Sequence, residues 1–165
     1  MSYHLPVHQT VALKKEFKVE NIIVFRSTKL DLTPSFGPGI DNTSVNIMSA
    51  ADDYLLHINI SFRRAQKAIV FNSKRANRSW GPEERVTLEG LFLNGLHTTI
   101  TVYDHGDRFQ VLIDYKTIHY YVKRFHKNGA AVLYKYNTNF SVFSETLDVT
   151  MYDSFANIRV IPSCA

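Results

Sequence analysis

Polar and apolar side chains alternate along most of this 165-residue chain, which predicts an all-β fold of antiparallel strands. Turn-forming clusters interrupt the alternation every ~8–12 residues, the spacing of a sandwich or barrel. No window carries a long apolar stripe of helical period with caps, so almost no helix is expected.

The elements follow in order. Val19 to Arg26 and Ser44 to Met48 are short runs rich in branched residues. Tyr54 to Phe62 alternates from Leu56 onward, with Ile58, Ile60 and Phe62 on one face. Strands are expected again at Ala68 to Asn72, Thr99 to Tyr103, Arg108 to Asp114, Thr117 to Val122, Ala131 to Tyr136 and Thr146 to Met151. Turns are expected at Pro34 to Gly39, Ala50 to Asp53, Asn77 to Pro82, Asn94-Gly95, His105 to Asp107 and Lys127 to Gly129. With no repeat, linker or low-complexity tract, residues 1–165 read as one domain.

Composition narrows the function. Hydrophobic residues at 45% and charged residues at 21% describe a globular chain, and 13% aromatics favour strands. A net charge of +4 raises nucleic acid as a partner, but the basic residues are dispersed in small groups such as Arg63, Arg64 and Lys67. One cysteine, Cys164, excludes an intrachain disulfide and fits a reducing compartment. No signal-like apolar segment opens the chain and no stretch approaches a membrane span, so neither a signal peptide nor membrane insertion is expected.

The chemistry concentrates in three stretches. His57, Asn59, Ser61 and Arg63 alternate on one strand and share a face. Asn72 ends the next apolar run, and Trp80-Gly-Pro-Glu83-Glu-Arg85 follows the next turn. A sugar suits this set. The indole offers an apolar plane for the C–H face of a pyranose. Glu83 only accepts hydrogen bonds, Arg85 only donates and Asn72 does both, so fixed hydroxyls can be told apart. Glu83 and Arg85, two residues apart, would share a strand face and hold each other. His57 has no second His or Cys at ligand spacing, so no metal is expected.

With these residues in view the chain resembles the galectin family, and in particular the galectins of mushroom-forming fungi. The family pattern is His-x-Asn-x-Arg, then Val-x-Asn, then Trp-Gly-x-Glu-x-Arg. Here it reads His57-Ile-Asn59-Ile-Ser61, Val70-Phe-Asn72 and Trp80-Gly-Pro-Glu83-Glu-Arg85. The likeness extends to Met1 to Phe17, Asp41 to Ile58 and Asp104 to Gln110. The resemblance implies a jelly-roll sandwich of two antiparallel sheets with a carbohydrate groove on one sheet, no cofactor and no catalysis. It implies β-galactosides such as lactose and N-acetyllactosamine as ligands. His57 and Asn59, with an arginine, would meet the axial hydroxyl of galactose. Asn72 and Glu83 would hold its 6-hydroxyl, Trp80 would stack, and Glu83 with Arg85 would reach the second sugar. A homo-oligomer, dimer or tetramer, cytoplasmic residence and export by an unconventional route are implied too.

The departure is Ser61, where the pattern has arginine; Arg63 stands two residues on. Two alignments fit. Either His57 and Asn59 keep their places and the arginine is lost, or Arg63 keeps its place, with Ser61 and Asn59 shifted into the Asn and His positions. A serine there removes a charge-assisted donor, worth roughly 1.5–3 kcal/mol. A groove retuned for N-acetylated glycans is therefore the alternative. Two other classes are disfavoured. Hydrolysis takes two placed carboxyl groups, and adjacent Glu83 and Glu84 would point to opposite strand faces. Single-stranded nucleic acid could stack on Tyr120 to Phe125, but that stretch reads as an ordinary alternating strand.

Overall fold

The computed structural model describes residues 1–32, 42–63, 66–92, 96–136 and 141–154. Cys164, the expected turns at Pro34 to Gly39 and Asn94-Gly95, and the side chain of Arg63 lie outside the described residues.

Twelve strands form among these residues, and no helix. They are β1 (Ser2–Pro6), β2 (Gln9–Phe17), β3 (Ile22–Ser27), β4 (Asn42–Met48), β5 (Tyr54–Arg63) and β6 (Gln66–Lys74). Then come β7 (Glu84–Thr87), β8 (Thr98–Asp104), β9 (Arg108–Ile113), β10 (Lys116–Val122), β11 (Gly129–Tyr136) and β12 (Thr146–Tyr152). One six-stranded sheet has the order β1-β12-β3-β8-β9-β10 and the other β2-β11-β4-β5-β6-β7. Every pairing is antiparallel. The two sheets make the expected sandwich.

The core draws on both sheets. Ile23, Phe25, Val102 and Val111 from one meet Ile47, Ile58, Ile69 and Phe71 from the other in a single buried cluster. Fully burying a branched or aromatic side chain is worth roughly 1.5–3 kcal/mol, so the inward half of each strand holds the sheets together. The outward half of β4, β5 and β6 is thereby left free for polar residues.

Three expectations shift. β1 and β2, both at sheet edges, were not anticipated as strands. β9 ends at Ile113 and not at Asp114, because Asp114 and Tyr115 both take left-handed φ angles of 48° and 65°. They form the two-residue turn of a tight hairpin, and Asp114 accepts hydrogen bonds from Thr98 Oγ1 and the Thr99 amide. Lastly, β7 begins only at Glu84, so Glu83 stands on the segment leading into it and does not share a strand face with Arg85, while Trp80 lies in the turn region as expected.

Candidate functional site

Strand register builds the site. β4 and β5 set Ser44 opposite Asn59 and Asn46 opposite His57; β5 and β6 set His57 opposite Asn72 and Asn59 opposite Val70. β11 sets Lys135 opposite Ser44. Side chains directly opposite share a face. The alternate residues Ile58 and Ile60 are at most 2% exposed and point into the core. The polar row is therefore fixed outward by the burial of its neighbours.

A groove of about 280 Å³ opens over this row. Asn42 and Ser44 of β4, His57 and Asn59 of β5, Val70 and Asn72 of β6 and Lys135 of β11 line it. Trp80, Gly81 and Glu83 close it from the β6–β7 segment. Of the eight residues expected from the sequence, His57, Asn59, Asn72, Trp80 and Glu83 come together here. Arg85 stands beside them, its Nη2 donating to Glu83 Oε2 as a mutual clamp. Ser61 is on the same strand face but is 5% exposed and does not line the groove.

Trp80 is 41% exposed, an unusual state for so large an apolar ring. It is propped by His57, at 4.5 Å between ring centroids, and by Tyr54 at 4.9 Å. A flat apolar surface is thus presented at the mouth, next to hydrogen-bonding groups.

His57 has a determined proton arrangement. Asn46, fully buried, donates through Nδ2 to Ser44 Oγ and the Leu133 carbonyl, which leaves its Oδ1 facing His57 Nδ1. Burial, then the positive charges of Lys135 and Lys74, push the imidazole down to about 3. The ring is neutral, Nδ1–H donates to Asn46, and Nε2 is left as an acceptor.

Asn72 is held just as firmly. Its Oδ1 accepts from Arg124 Nη1 and from the Ser73 amide, each at 2.8 Å, and its Nδ2 donates to the Gly81 carbonyl at 2.8 Å. One amide hydrogen remains for a ligand. Arg124 also donates through Nη2 to the Pro82 carbonyl and to Glu84 Oε2, so it ties Asn72 to the Trp80 segment. A Cβ on Gly81 would stand 2.7 Å from Arg124 Nη1 and 3.4 Å from Asn72 Oδ1, which explains glycine there.

Two acceptors in the groove lack donors. Asn42 Oδ1 and Asn59 Oδ1 are buried with no hydrogen-bond partner among the described residues. A buried acceptor without a partner costs about 1–3 kcal/mol, so a hydroxyl or amide donor entering here would be favoured.

Sequence reasoning missed Asn42, Ser44, Asn46, Lys135 and Arg124. The first three had a visible signal, since Asn42, Ser44 and Asn46 stand at alternate positions, as His57, Asn59 and Ser61 do in β5. Lys135 and Arg124 had none, because they reach the site through pairing and a crossing segment distant in sequence.

Comparisons with known proteins agree with this geometry. The galactoside-binding lectin family model matches residues 8–144. The chain is 41% identical to galectin-1 of Coprinopsis cinerea over 152 residues, covering 92% of this chain and 94% of that protein. It is 30% identical to an anti-tumor lectin of Cyclocybe aegerita, over 93% of this chain and 97% of the other. Among solved structures, Caenorhabditis elegans galectin LEC-6 superposes with a TM-score of 0.67 at 14% identity, covering 92% of this chain and 95% of that one. A toad ovary galectin in complex with N-acetylgalactose gives 0.63 at 17% identity, covering 87% and 97%. A fungal-type sequence match over nearly the whole length, on a two-sheet sandwich with a polar groove beside an exposed indole, makes the chain a member of the galectin family of galactoside-binding lectins.

Proposed function

We propose that the groove binds β-galactosides of the lactose and N-acetyllactosamine type, and that it binds them without chemical change. The observation that carries this reading is the exposed Trp80 plane beside a row of oriented hydrogen-bonding groups. An axial hydroxyl leaves the opposite face of the galactose ring flat and apolar. Stacking on Trp80 and hydrogen bonding to the row can then act together. In this reading His57 Nε2 accepts from the axial hydroxyl, and Asn59 takes a neighbouring donor. Asn72 and Glu83 hold the 6-hydroxyl, and Glu83 with Arg85 reaches the second sugar. Since Ser61 does not line the groove, Arg63 would supply the remaining contact of the first motif.

Among the described residues Glu83 is the one carboxylate lining the groove, and Arg85 occupies it. Glycoside hydrolysis needs two carboxyl groups across the bond, which favours binding alone. A second reading, N-acetylated glycans, is favoured by Asn42 Oδ1 and Asn59 Oδ1, which an acetamido N–H could satisfy. With the proposal go a single recognition domain over residues 1–165, cytoplasmic residence and a homo-oligomer. No described helix is long and apolar enough to cross a membrane. Self-association would convert weak single-site binding into avidity. Calorimetric titration with lactose, N-acetyllactosamine and chitotriose tests the reading. Binding of the first two without cleavage supports it. Binding of chitotriose with no response to lactose rejects it for the second reading.

A further inference from the structure

Asn72 of the groove is reached from the opposite sheet. Arg124 stands two residues past the end of β10 and belongs to no strand. Its Nη1 donates to Asn72 Oδ1 at 2.8 Å, and its Nη2 donates to the Pro82 carbonyl at 2.6 Å and to Glu84 Oε2 at 3.2 Å. A long side chain on an irregular segment has many rotamers, and fixing one of them costs conformational entropy. The guanidinium can hold Asn72 only if it is held itself.

Glu84 supplies that hold. It opens β7 directly opposite Phe71, which is fully buried, so its side chain turns to the inner face while Arg85 turns outward. Glu84 Oε2 takes Arg124, and Glu84 Oε1 accepts from His119 Nε2 at 2.8 Å. A carboxylate only accepts, so Nε2 is a ring nitrogen that carries hydrogen. His119 stands on β10, in the other sheet, and its ring lies 4.4 Å from that of Phe71, nearly parallel at 25°. Phe71 belongs to the core. One line of contacts therefore runs from the core through His119, Glu84 and Arg124 to Asn72. Of these, only Asn72 lines the groove.

The end of that line faces the sugar. An amide group is planar, so fixing Asn72 Oδ1 also fixes the direction of the Nδ2 hydrogen left for a ligand. The other hydrogen of Nδ2 goes to the Gly81 carbonyl, and Gly81 precedes Pro82, whose carbonyl Arg124 also holds. Releasing Arg124 thus loosens Asn72 on both sides.

We propose that Glu84 and His119 are positioning residues for sugar recognition: through Arg124 they fix the amide plane of Asn72 and aim its free N–H at the galactose 6-hydroxyl. The proposal rests on the galactoside reading, which gives that hydroxyl to Asn72, and adds two residues that do not touch the sugar.

The test is calorimetry with lactose and with lactose deoxygenated at the galactose 6-position. Both sugars are titrated into the wild type, Glu84→Met, Glu84→Gln and His119→Phe, with thermal melts to show that each is folded. The readout is the Kd of the deoxy sugar divided by the Kd of lactose within each protein. That ratio isolates the 6-hydroxyl contact, whereas a merely structural weakening moves both sugars alike. A ratio of about tenfold is expected in the wild type, the scale of one hydrogen bond. It falls to about threefold or less in Glu84→Met, which keeps the length of the side chain and loses both acceptor oxygens. His119→Phe keeps a ring against Phe71, loses the donor and lies between those values. Glu84→Gln keeps an acceptor oxygen for Arg124 and stays nearer the wild type than Glu84→Met does. An unchanged ratio in folded Glu84→Met or in folded His119→Phe overturns the proposal and leaves the galactoside reading standing. A wild-type ratio near one overturns it as well, because Asn72 then reads no 6-hydroxyl. Failure of the wild type to bind lactose overturns both.

Discussion

Asn46→Ala is the sharpest perturbation of the site, because Asn46 touches no groove surface yet organises His57. Its side chain is fully buried and makes three bonds: to Ser44 Oγ at 3.2 Å, to the Leu133 carbonyl at 3.1 Å, and to His57 Nδ1. Truncation leaves the His57 Nδ1–H without an acceptor in a half-buried position, at about 1–3 kcal/mol, and removes two further neutral bonds at about 1 kcal/mol in total or more. A loss of about 2–5 kcal/mol in unfolding free energy follows, measured by urea denaturation with an unchanged m-value. The imidazole is then free to turn and to change tautomer, so Nε2 no longer stands fixed as an acceptor. Lactose affinity is expected to fall roughly tenfold, the equivalent of one hydrogen bond of about 1.4 kcal/mol. A variant that loses under about 1 kcal/mol and binds lactose within twofold of wild type would refute the assignment of Asn46 as the holder of His57.

Other outcomes follow from the same geometry. His57 stays neutral in the folded protein down to about pH 3, while an unfolded chain takes up that proton near 6.5. The unfolded state binds more protons between those values, so this stability is full above pH 6.5 and is lost as pH falls toward 3. His57→Gln is expected to flatten the stability profile between pH 6.5 and 4 by up to about 3 kcal/mol, read by denaturation at each pH, and a profile parallel to wild type would contradict it. Gly81→Ala places a methyl 2.7 Å from Arg124 Nη1 and must displace the guanidinium that holds Asn72. Lactose affinity in that variant is expected to fall roughly tenfold, and a Kd within twofold of wild type would show that Arg124 does not position Asn72.

The fold was legible where one strand carries its own pattern. Leu56 to Phe62 alternates cleanly, and in β5 Ile58 and Ile60 are buried as expected, the side chain of Phe62 lying outside the described residues; in β6 Ile69 and Phe71 are buried as well. β1 and β2 were not legible, because each is an edge strand with one neighbour. β1 buries only Tyr3 and Leu5, and β2 exposes Lys14, Lys15 and Glu16 in a row. Their stability comes from pairing with β12 and β11, more than a hundred residues away in the chain for β2 and farther for β1, and no local window contains that information. The site divides the same way. His57, Asn59, Asn72, Trp80 and Glu83 declared themselves by residue type and spacing. Trp80 lies in the turn region expected at Asn77 to Pro82, whereas Glu83, expected on a strand with Arg85, precedes β7; the two still meet, since the ion pair spans the loop-to-strand boundary. Lys135 and Arg124 became visible only once β11 lay beside β4 and the segment after β10 crossed to the other sheet.

Trp80 is the residue on which sugar binding in this groove depends most. It is the largest exposed apolar surface in the groove, and its ring is held by His57 and Tyr54 at centroid distances of 4.5 and 4.9 Å. Calorimetric titration of lactose into the wild type and Trp80→Ala, with far-ultraviolet circular dichroism to show that both are folded, measures what the indole contributes to sugar binding. Saturable lactose binding is expected in the wild type, with a loss of at least about tenfold in the variant from lost stacking and lost apolar contact together. Equal lactose affinity in two folded proteins would contradict it.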